Sequence, residues 1–215
     1  MEGSIDTPIK VLVVDDHPLM REGVIAVLSS HEDIRVVGEA SSGRDAVQAH
    51  LHLNPHITLM DVQMPGLDGI SALGEIRRHR PHARVLVLTT FSGDVLTLRA
   101  LKAGACGYLL KGMIRKELVT AIREAHRGRV TLRPEVAAKL GQHALDEHLS
   151  PREIEVLRQV ADGSPNKVIA ARLSLSEETV KSHMKNVLSK LKARDRTHAV
   201  VIGMERGFLD AWSMR

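Results

Sequence analysis

The chain has 215 residues, of which 43% are hydrophobic and 26% charged, and a formal net charge of +4. That length is more than a typical single domain needs and comfortable for two, with enough apolar residues for packed cores and no apolar run long enough to span a membrane. One cysteine, Cys106, excludes an internal disulfide or a cysteine-rich zinc site, and the twelve histidines follow no metal-ligand spacing, so most of them are expected at the surface.

The N-terminal MEGSIDTPIK lacks the basic-then-apolar order of a signal peptide, and a cytoplasmic protein is expected. Ile9 to Val14 is a β-branched apolar run that reads as a strand and stops at Asp15-Asp16; His17-Pro18 then opens a helical pattern through Leu28. A second strand is expected over 34–38 and a helix over 43–53. Ile57 to Met60 read as a strand buried on both faces and ending on Asp61. Met64-Pro65-Gly66 then breaks the chain, and Asp68-Gly69 leads into a helix over 70–79. The strand from Arg84 to Leu88 ends on Thr89-Thr90, a helix over 94–103 is closed by Gly104, and Cys106, a small buried thiol by this pattern, starts a strand that ends on Lys111. A helix over 115–126 with Leu118, Val119 and Ile122 on one face completes the alternation.

Five strands alternating with five helices imply a parallel sheet wound with right-handed crossovers. Strand ends of such a sheet point the same way, so Asp15, Asp16, Asp61, Thr89 and Lys111 should converge on one edge, where open α/β sheets bind ligands. Three carboxylates together repel one another and need a cation, and an all-oxygen site that keeps water suits Mg²⁺. A carboxylate nucleophile, a divalent ion, a lysine and a hydroxyl are the equipment for phosphoryl transfer onto Asp61. No glycine-rich phosphate loop is present, which argues against a nucleotide donor.

The pattern weakens from Gly128 to His148, a connector in which Pro134 to Leu140 suggests a short helix. Ser150-Pro151-Arg152-Glu153 is then a capping box with proline at the first helical position, and Gly163 ends that helix. A second helix starts near Ser164-Pro165 or Asn166. A third follows Ser176, with Val180, Met184, Val187, Leu188 and Leu191 on a buried stripe and Lys181, Ser182, Lys185, Ser189 and Lys192 on the other face. A last helix lies around 197–204. The net charge belongs to this half, since residues 128–215 hold 15 Lys and Arg against 11 Asp and Glu, whereas 1–127 hold 15 of each. Helix, turn, helix with a basic outer face describes a major-groove reader of DNA, against the plainer alternative of a helical bundle with solvated lysines.

Four segments, VLVVDDHP, LMDVQMPGLDG, VLVLTTF and AGACGYLLK, resemble in order and spacing the receiver domain of two-component response regulators. LSPREIEVLRQVADGSPNKVIAARLSLSEETVKSHMKNVLSKLKARDRTHAV looks like the LuxR-type helix-turn-helix, and together the two halves are similar to the NarL/FixJ class. The resemblance implies a five-stranded, parallel, doubly wound (flavodoxin-like) receiver at 1–127, a linker at 128–148 and a small four-helix DNA-binding domain at 149–215. By it, Asp61 is the phosphoacceptor, Asp15 and Asp16 join Asp61 in holding Mg²⁺, and Lys111 binds the phosphoryl group. Thr89, chosen over Thr90 by its interval to Lys111, is the hydroxyl that moves, and Tyr108 is either the aromatic that follows or a packed strand residue with its hydroxyl at the surface. Lys181, Ser182 and Lys185 would face base edges or nearby phosphates, and Lys167, Lys192 and Arg196 the DNA backbone. Pro165 departs from the small hydroxyl residue common in the family, which leaves Ser164 to cap the second helix.

The function implied is a DNA-binding transcriptional regulator, not an enzyme of turnover, that a sensor histidine kinase phosphorylates and that binds promoter DNA as a homodimer when phosphorylated, with no membrane contact. Two competitors are a constitutive DNA-binding protein whose receiver only dimerises, and a phosphatase passing through an acyl-phosphate. The second would want an acidic residue two positions past Asp61, where Gln63 stands.

Overall fold

The computed structural model describes residues 7–90, 94–129 and 148–209. They form two compact units, one of residues 7–90 and 97–129 carried by a β-sheet and one of residues 94–96 and 148–209 that is helical. The connector helix expected near Pro134 to Leu140 lies outside the described residues.

The first unit alternates β1 (Ile9–Val14), α1 (Pro18–Ser29), β2 (Ile34–Ala40), α2 (Gly43–Leu53), β3 (Ile57–Asp61), α3 (Gly69–His79), β4 (Val85–Thr89), α4 (Asp94–Lys102), β5 (Gly107–Leu110) and α5 (Ile114–His126). All strand pairs are parallel, in the order β2-β1-β3-β4-β5. This is the doubly wound, flavodoxin-like arrangement, whose ligand crevice opens where the strand order reverses, here between β1 and β3. Every residue of β3 and β4 is buried, as an interior parallel strand requires. On one face Val11, Val13, Leu59, Leu86 and Leu88 pack with Val24 and Leu28 of α1 and Leu118 and Ile122 of α5. α2 and α3 lie against one another, and Ala72, Leu73 and Ile76 of α3 are fully buried.

Two sequence expectations shift here. β2 runs two residues further than its apolar core, because pairing with β1 through Val14↔Ala40 extends the ladder past Gly38. His50, expected at the surface with the other histidines, is buried, its Nδ1 2.9 Å from the Thr58 hydroxyl on β3. Burial, aided by Arg80, holds its imidazole below the ordinary histidine value, so it packs as a neutral ring. Cys106 is a half-buried thiol just before β5 whose pKa burial pushes up to about 11, which keeps it unreactive.

The second unit comprises α6 (Pro151–Ala161), α7 (Asn166–Leu173), α8 (Glu177–Leu191) and α9 (Arg196–Arg206). α8 touches each of the other three, and its Val180, Met184, Val187 and Leu191 are buried with Val156, Leu157, Ile169 and Ala199. The capping box is complete: Ser150 Oγ accepts from the Glu153 N–H, and Glu153 Oε2 accepts from the Ser150 N–H at 2.7 Å. Glu153 is itself buried and also takes Lys190 Nζ of α8 at 2.9 Å. One carboxylate thus starts α6 and fastens it to α8.

Ser164 does not cap α7, contrary to expectation. Pro165 holds the N-cap position without a side-chain bond, and the buried Ser164 hydroxyl accepts from Arg172 at 3.2 Å. No helix among the described residues is long and apolar enough to cross a membrane.

Burial raises the Glu153 carboxyl, but its bonds to Lys190 and Ser150 outweigh that and hold it below the ordinary glutamate value. A carboxyl depressed in the folded state contributes stability that is full above the unfolded value of about 4.3 and fades as pH falls through the folded value. Glu153→Ala is therefore expected to cost about 2 kcal/mol at neutral pH. In urea unfolding followed by circular dichroism, the gap between variant and native protein should narrow as pH falls below about 4.

Candidate functional site

β1 and β3 are neighbours, with Val14 level with Met60, so the residues after them stand side by side at the carboxyl edge of the sheet. Asp15 and Asp61 are both buried there, and Asp16 is partly exposed. Lys111, which follows β5 and opens a short 3-10 turn (Lys111–Met113), reaches across the edge. Its Nζ lies 2.7 Å from Asp15 Oδ2 and 2.8 Å from Asp61 Oδ2.

Burial pushes the Asp61 carboxyl above the ordinary aspartate value; Lys111 pulls it down, and the neighbouring Asp15 adds to the rise. Burial likewise disfavours the Lys111 charge, but the bonds to Asp15 and Asp61 win, and its pKa stands above the ordinary lysine value. The ammonium is thus charged at every physiological pH and neutralises the pair.

The approach to Asp61 is set by its backbone. The chain turns straight after β3, where the Gln63 N–H donates to Asp61 Oδ1 at 3.3 Å and the Gly69 N–H to the Val62 carbonyl at 3.0 Å. Asp68 caps α3 by accepting from the N–H groups of Ile70 and Ser71. This draws Gly69 so close to the strand end that a Cβ on it would fall 1.8 Å from the Asp61 carbonyl oxygen.

Of the two threonines ending β4, Thr89 is buried and Thr90 exposed. Tyr108 is buried on β5, and its hydroxyl is hydrogen-bonded to Thr97 and Thr89. The alternative with that hydroxyl at the surface is therefore wrong: Thr97 on α4 offers an inside partner, which no local pattern announces. The sequence reading also passed over His17. Its Nδ1 is 2.8 Å from Asp16 Oδ1, and ligand atoms of Asp15, Asp16, His17 and Asp61 all lie within 4.8 Å of one another. Its position directly after two aspartates was the available signal. This group has the donors to hold a metal ion, and its three carboxylates suit a hard divalent cation.

In the second unit Lys181, Ser182 and Lys185 lie exposed on the outer face of α8, opposite its buried stripe. Ser176 caps that helix by accepting from the Thr179 N–H at 3.0 Å. Lys181 meets Glu178 at 3.2 Å in an exposed pair of the kind that contributes little and yields readily to another anion. Lys167 and Lys192 are exposed as well. Arg196 is exposed but donates to the Ser164 carbonyl at 3.0 Å, so it has a structural task besides any role toward a ligand.

The contact at Gly69 makes a sharp demand. Gly69→Ala must push α3 away from the strand carrying Asp61, and an overpacking cost of about 1–3 kcal/mol is expected in urea unfolding. Gly74→Ala on the same helix, where a Cβ meets nothing, should cost nothing.

Comparison with known proteins agrees with this layout. The model of the response regulator receiver domain matches residues 11–123, and that of the luxR family of bacterial regulatory proteins matches 147–202. The response regulator protein VraR of Staphylococcus aureus is 39% identical over 206 residues, covering 94% of this chain and 99% of the relative. Among solved structures, the response regulator ChrA of a heme-sensing two-component system is 38% identical over 94% of this chain and 99% of that one, with a TM-score of 0.56. RcsB, solved as two dimers bound to two parallel DNAs, is 28% identical over 93% and 99%, with a TM-score of 0.66. The chain belongs to the response regulators of the NarL/FixJ class, phosphorylation-controlled transcription regulators that join a phosphoaccepting receiver, rather than an enzyme of turnover, to a LuxR-type DNA-binding helix-turn-helix.

Proposed function

We propose that Asp61 is the phosphoacceptor of this regulator, and the observation that carries the reading is the buried Asp61 carboxylate bridged by Lys111 to Asp15. The donor is a phosphohistidine of a sensor histidine kinase. An Asp61 oxygen attacks the phosphorus, the phosphorus–nitrogen bond breaks, and an acyl phosphate remains on the receiver. Asp15, Asp16 and Asp61 would hold Mg²⁺, which when bound supplies positive charge against the carboxylates and the phosphoryl oxygens. Lys111 then exchanges part of its contact with Asp61 for a phosphoryl oxygen.

The added group brings about −1.5 to −2 charges into a crevice already rich in carboxylates. Thr89 is the buried hydroxyl that ends β4. It gives up Tyr108 for a phosphoryl oxygen, leaving the tyrosine to Thr97 and re-forming the surface carried by α4. To move a state from 1:99 to 99:1, phosphorylation must favour it by roughly 5.5 kcal/mol, so a two-state element such as this hydroxyl exchange is required. The outcome is a homodimer that binds a two-fold promoter site more tightly; RcsB, of the same architecture, has been solved as dimers on DNA.

The division of labour we assign is a receiver at 1–127, a linker at 128–148 and a DNA-binding domain at 149–215. α8 enters the major groove with Lys181, Ser182 and Lys185 toward bases and adjacent phosphates, while Lys167, Lys192 and Arg196 meet the backbone. The protein acts in the cytoplasm, where kinase output and promoter DNA are both available.

Beryllofluoride, a mimic of the phosphoryl group, should tighten promoter binding of the native protein at fixed salt and should do nothing for Asp61→Asn. Equal binding in all three samples would instead favour a constitutive regulator whose receiver only dimerises. For the DNA face, Lys167→Ala should weaken binding to all sequences alike and lower the slope of log affinity against log salt by about 0.9 per contact removed, read by fluorescence anisotropy.

A further inference from the structure

The opposite edge of the receiver sheet, at the amino ends of β3 and β4, carries a feature that the mechanism above does not use. A cavity of about 480 Å³ opens there between the α2–β3 turn and the α3–β4 loop, a volume within the range of ligand pockets. Ten residues line it, of which His50, His56, His79, Arg80, His82 and Arg84 are basic and none is acidic. Arg80 is exposed and Arg84 half-buried, and among the described residues neither forms an ion pair or a side-chain hydrogen bond.

Helix ends account for only part of this charge. α2 and α3 both close on the cavity with their carboxyl ends, and two such ends amount to about one negative charge. Arg80 and Arg84 alone bring two positive charges, so an excess of about one remains before any imidazole is protonated. The field is of one sign: the charged groups that act on the two inner histidines are Arg80 on His50, and His126, Lys10 and Arg84 on His56. Burial first, and then these cations, hold both imidazoles below the ordinary histidine value. The neutral His56 ring accepts the Lys10 N–H on Nδ1 at 3.2 Å, which leaves its proton on Nε2 as a donor.

The complement of a concave site with unpaired guanidinium groups and no carboxylate is an anion, and arginine matches phosphate oxygens in particular. The cavity is larger than a single phosphate needs, and its cations come from two chain segments, the end of α2 with its turn and the loop between α3 and β4. Charge spread in this way suits a ligand with more than one phosphate group. We propose that the cavity is a binding site for a small polyanion carrying adjacent phosphate groups, held by Arg80 and Arg84 and by the histidines of the two segments. It shares no residue with the phosphoacceptor site, which lies at the other ends of the same two strands, at Asp61 and Thr89.

The probe is inorganic pyrophosphate, titrated calorimetrically into the Mg²⁺-free full chain at fixed ionic strength, with sulfate as a single dianion for comparison. Saturable binding of pyrophosphate roughly tenfold or more tighter than sulfate is expected. The double variant Arg80→Gln, Arg84→Gln should lose roughly tenfold or more, and Arg80→Gln alone, at an exposed position, roughly threefold. Lys181→Ala with Lys185→Ala, on the DNA face, should change the affinity less than about twofold. In ¹⁵N–¹H spectra pyrophosphate should move the ring nitrogens of His56, His79 and His82 and leave those of His183 on α8 in place. Pyrophosphate binding no tighter than sulfate, or unaffected by both arginine variants, overturns the proposal. An affinity that falls with the lysines instead overturns it by placing the anion on the DNA face. Duplex DNA is the other source of adjacent phosphates, and its displacing pyrophosphate from the lysine variant overturns the small ligand in favour of a nucleic-acid backbone.

Discussion

The ammonium of Lys111 between the carboxylates of Asp15 and Asp61 is the interaction on which the receiver's chemistry depends. Two buried carboxylates on adjacent strands are unstable without a compensating cation, and removing one partner of such a group costs several kcal/mol. Lys111 supplies the charge from β5, and it does so only because the sheet order puts β1 beside β3 and brings β4 and β5 after them on the same edge. The topology and the charge balance are one constraint.

That balance also makes the site responsive. A cation held by two carboxylates can be redistributed when a third anion arrives, and a divalent ion can take over part of its task. Thr89, buried at the end of β4, is bonded to Tyr108, which is in turn bonded to Thr97. These hydroxyls make a chain from the end of β4 through β5 to α4, the route the proposed switch would use. Burial gives the pathway its leverage, because an unmet hydroxyl inside the protein costs more than one that water can serve.

The second unit solves a different problem. A short helical bundle must bury one face of α8 and keep the opposite face open and basic. The buried Glu153 helps by serving both the capping box of α6 and Lys190 of α8, so a single side chain ties the two helices together. Arg196 and Arg172 spend their hydrogen bonds around Ser164, bracing the turn that leads into α7. Lys181 and Lys185 are left on the outer face, where their charge is available to phosphate.

Much of this was legible from the chain alone, because it rests on local rules. Apolar β-branched runs ending on Asp15, Asp61, Thr89 and the lysine after β5 imply a parallel sheet with one polar edge, and Ser150-Pro151-Arg152-Glu153 announces its helix. What sequence could not decide were the polar contacts between different elements or turns: the burial of His50 against Thr58, the inward bond of Tyr108 to Thr97, the Ser164 hydroxyl turned to Arg172 rather than capping α7, and the second task of Glu153 with Lys190. Each depends on which polar partner lies within hydrogen-bond reach after packing, and a spacing rule cannot supply that distance. Periodicity and turn chemistry determined the elements and their order; only the folded chain decided which buried polar groups satisfy one another, since that free energy is set in three dimensions.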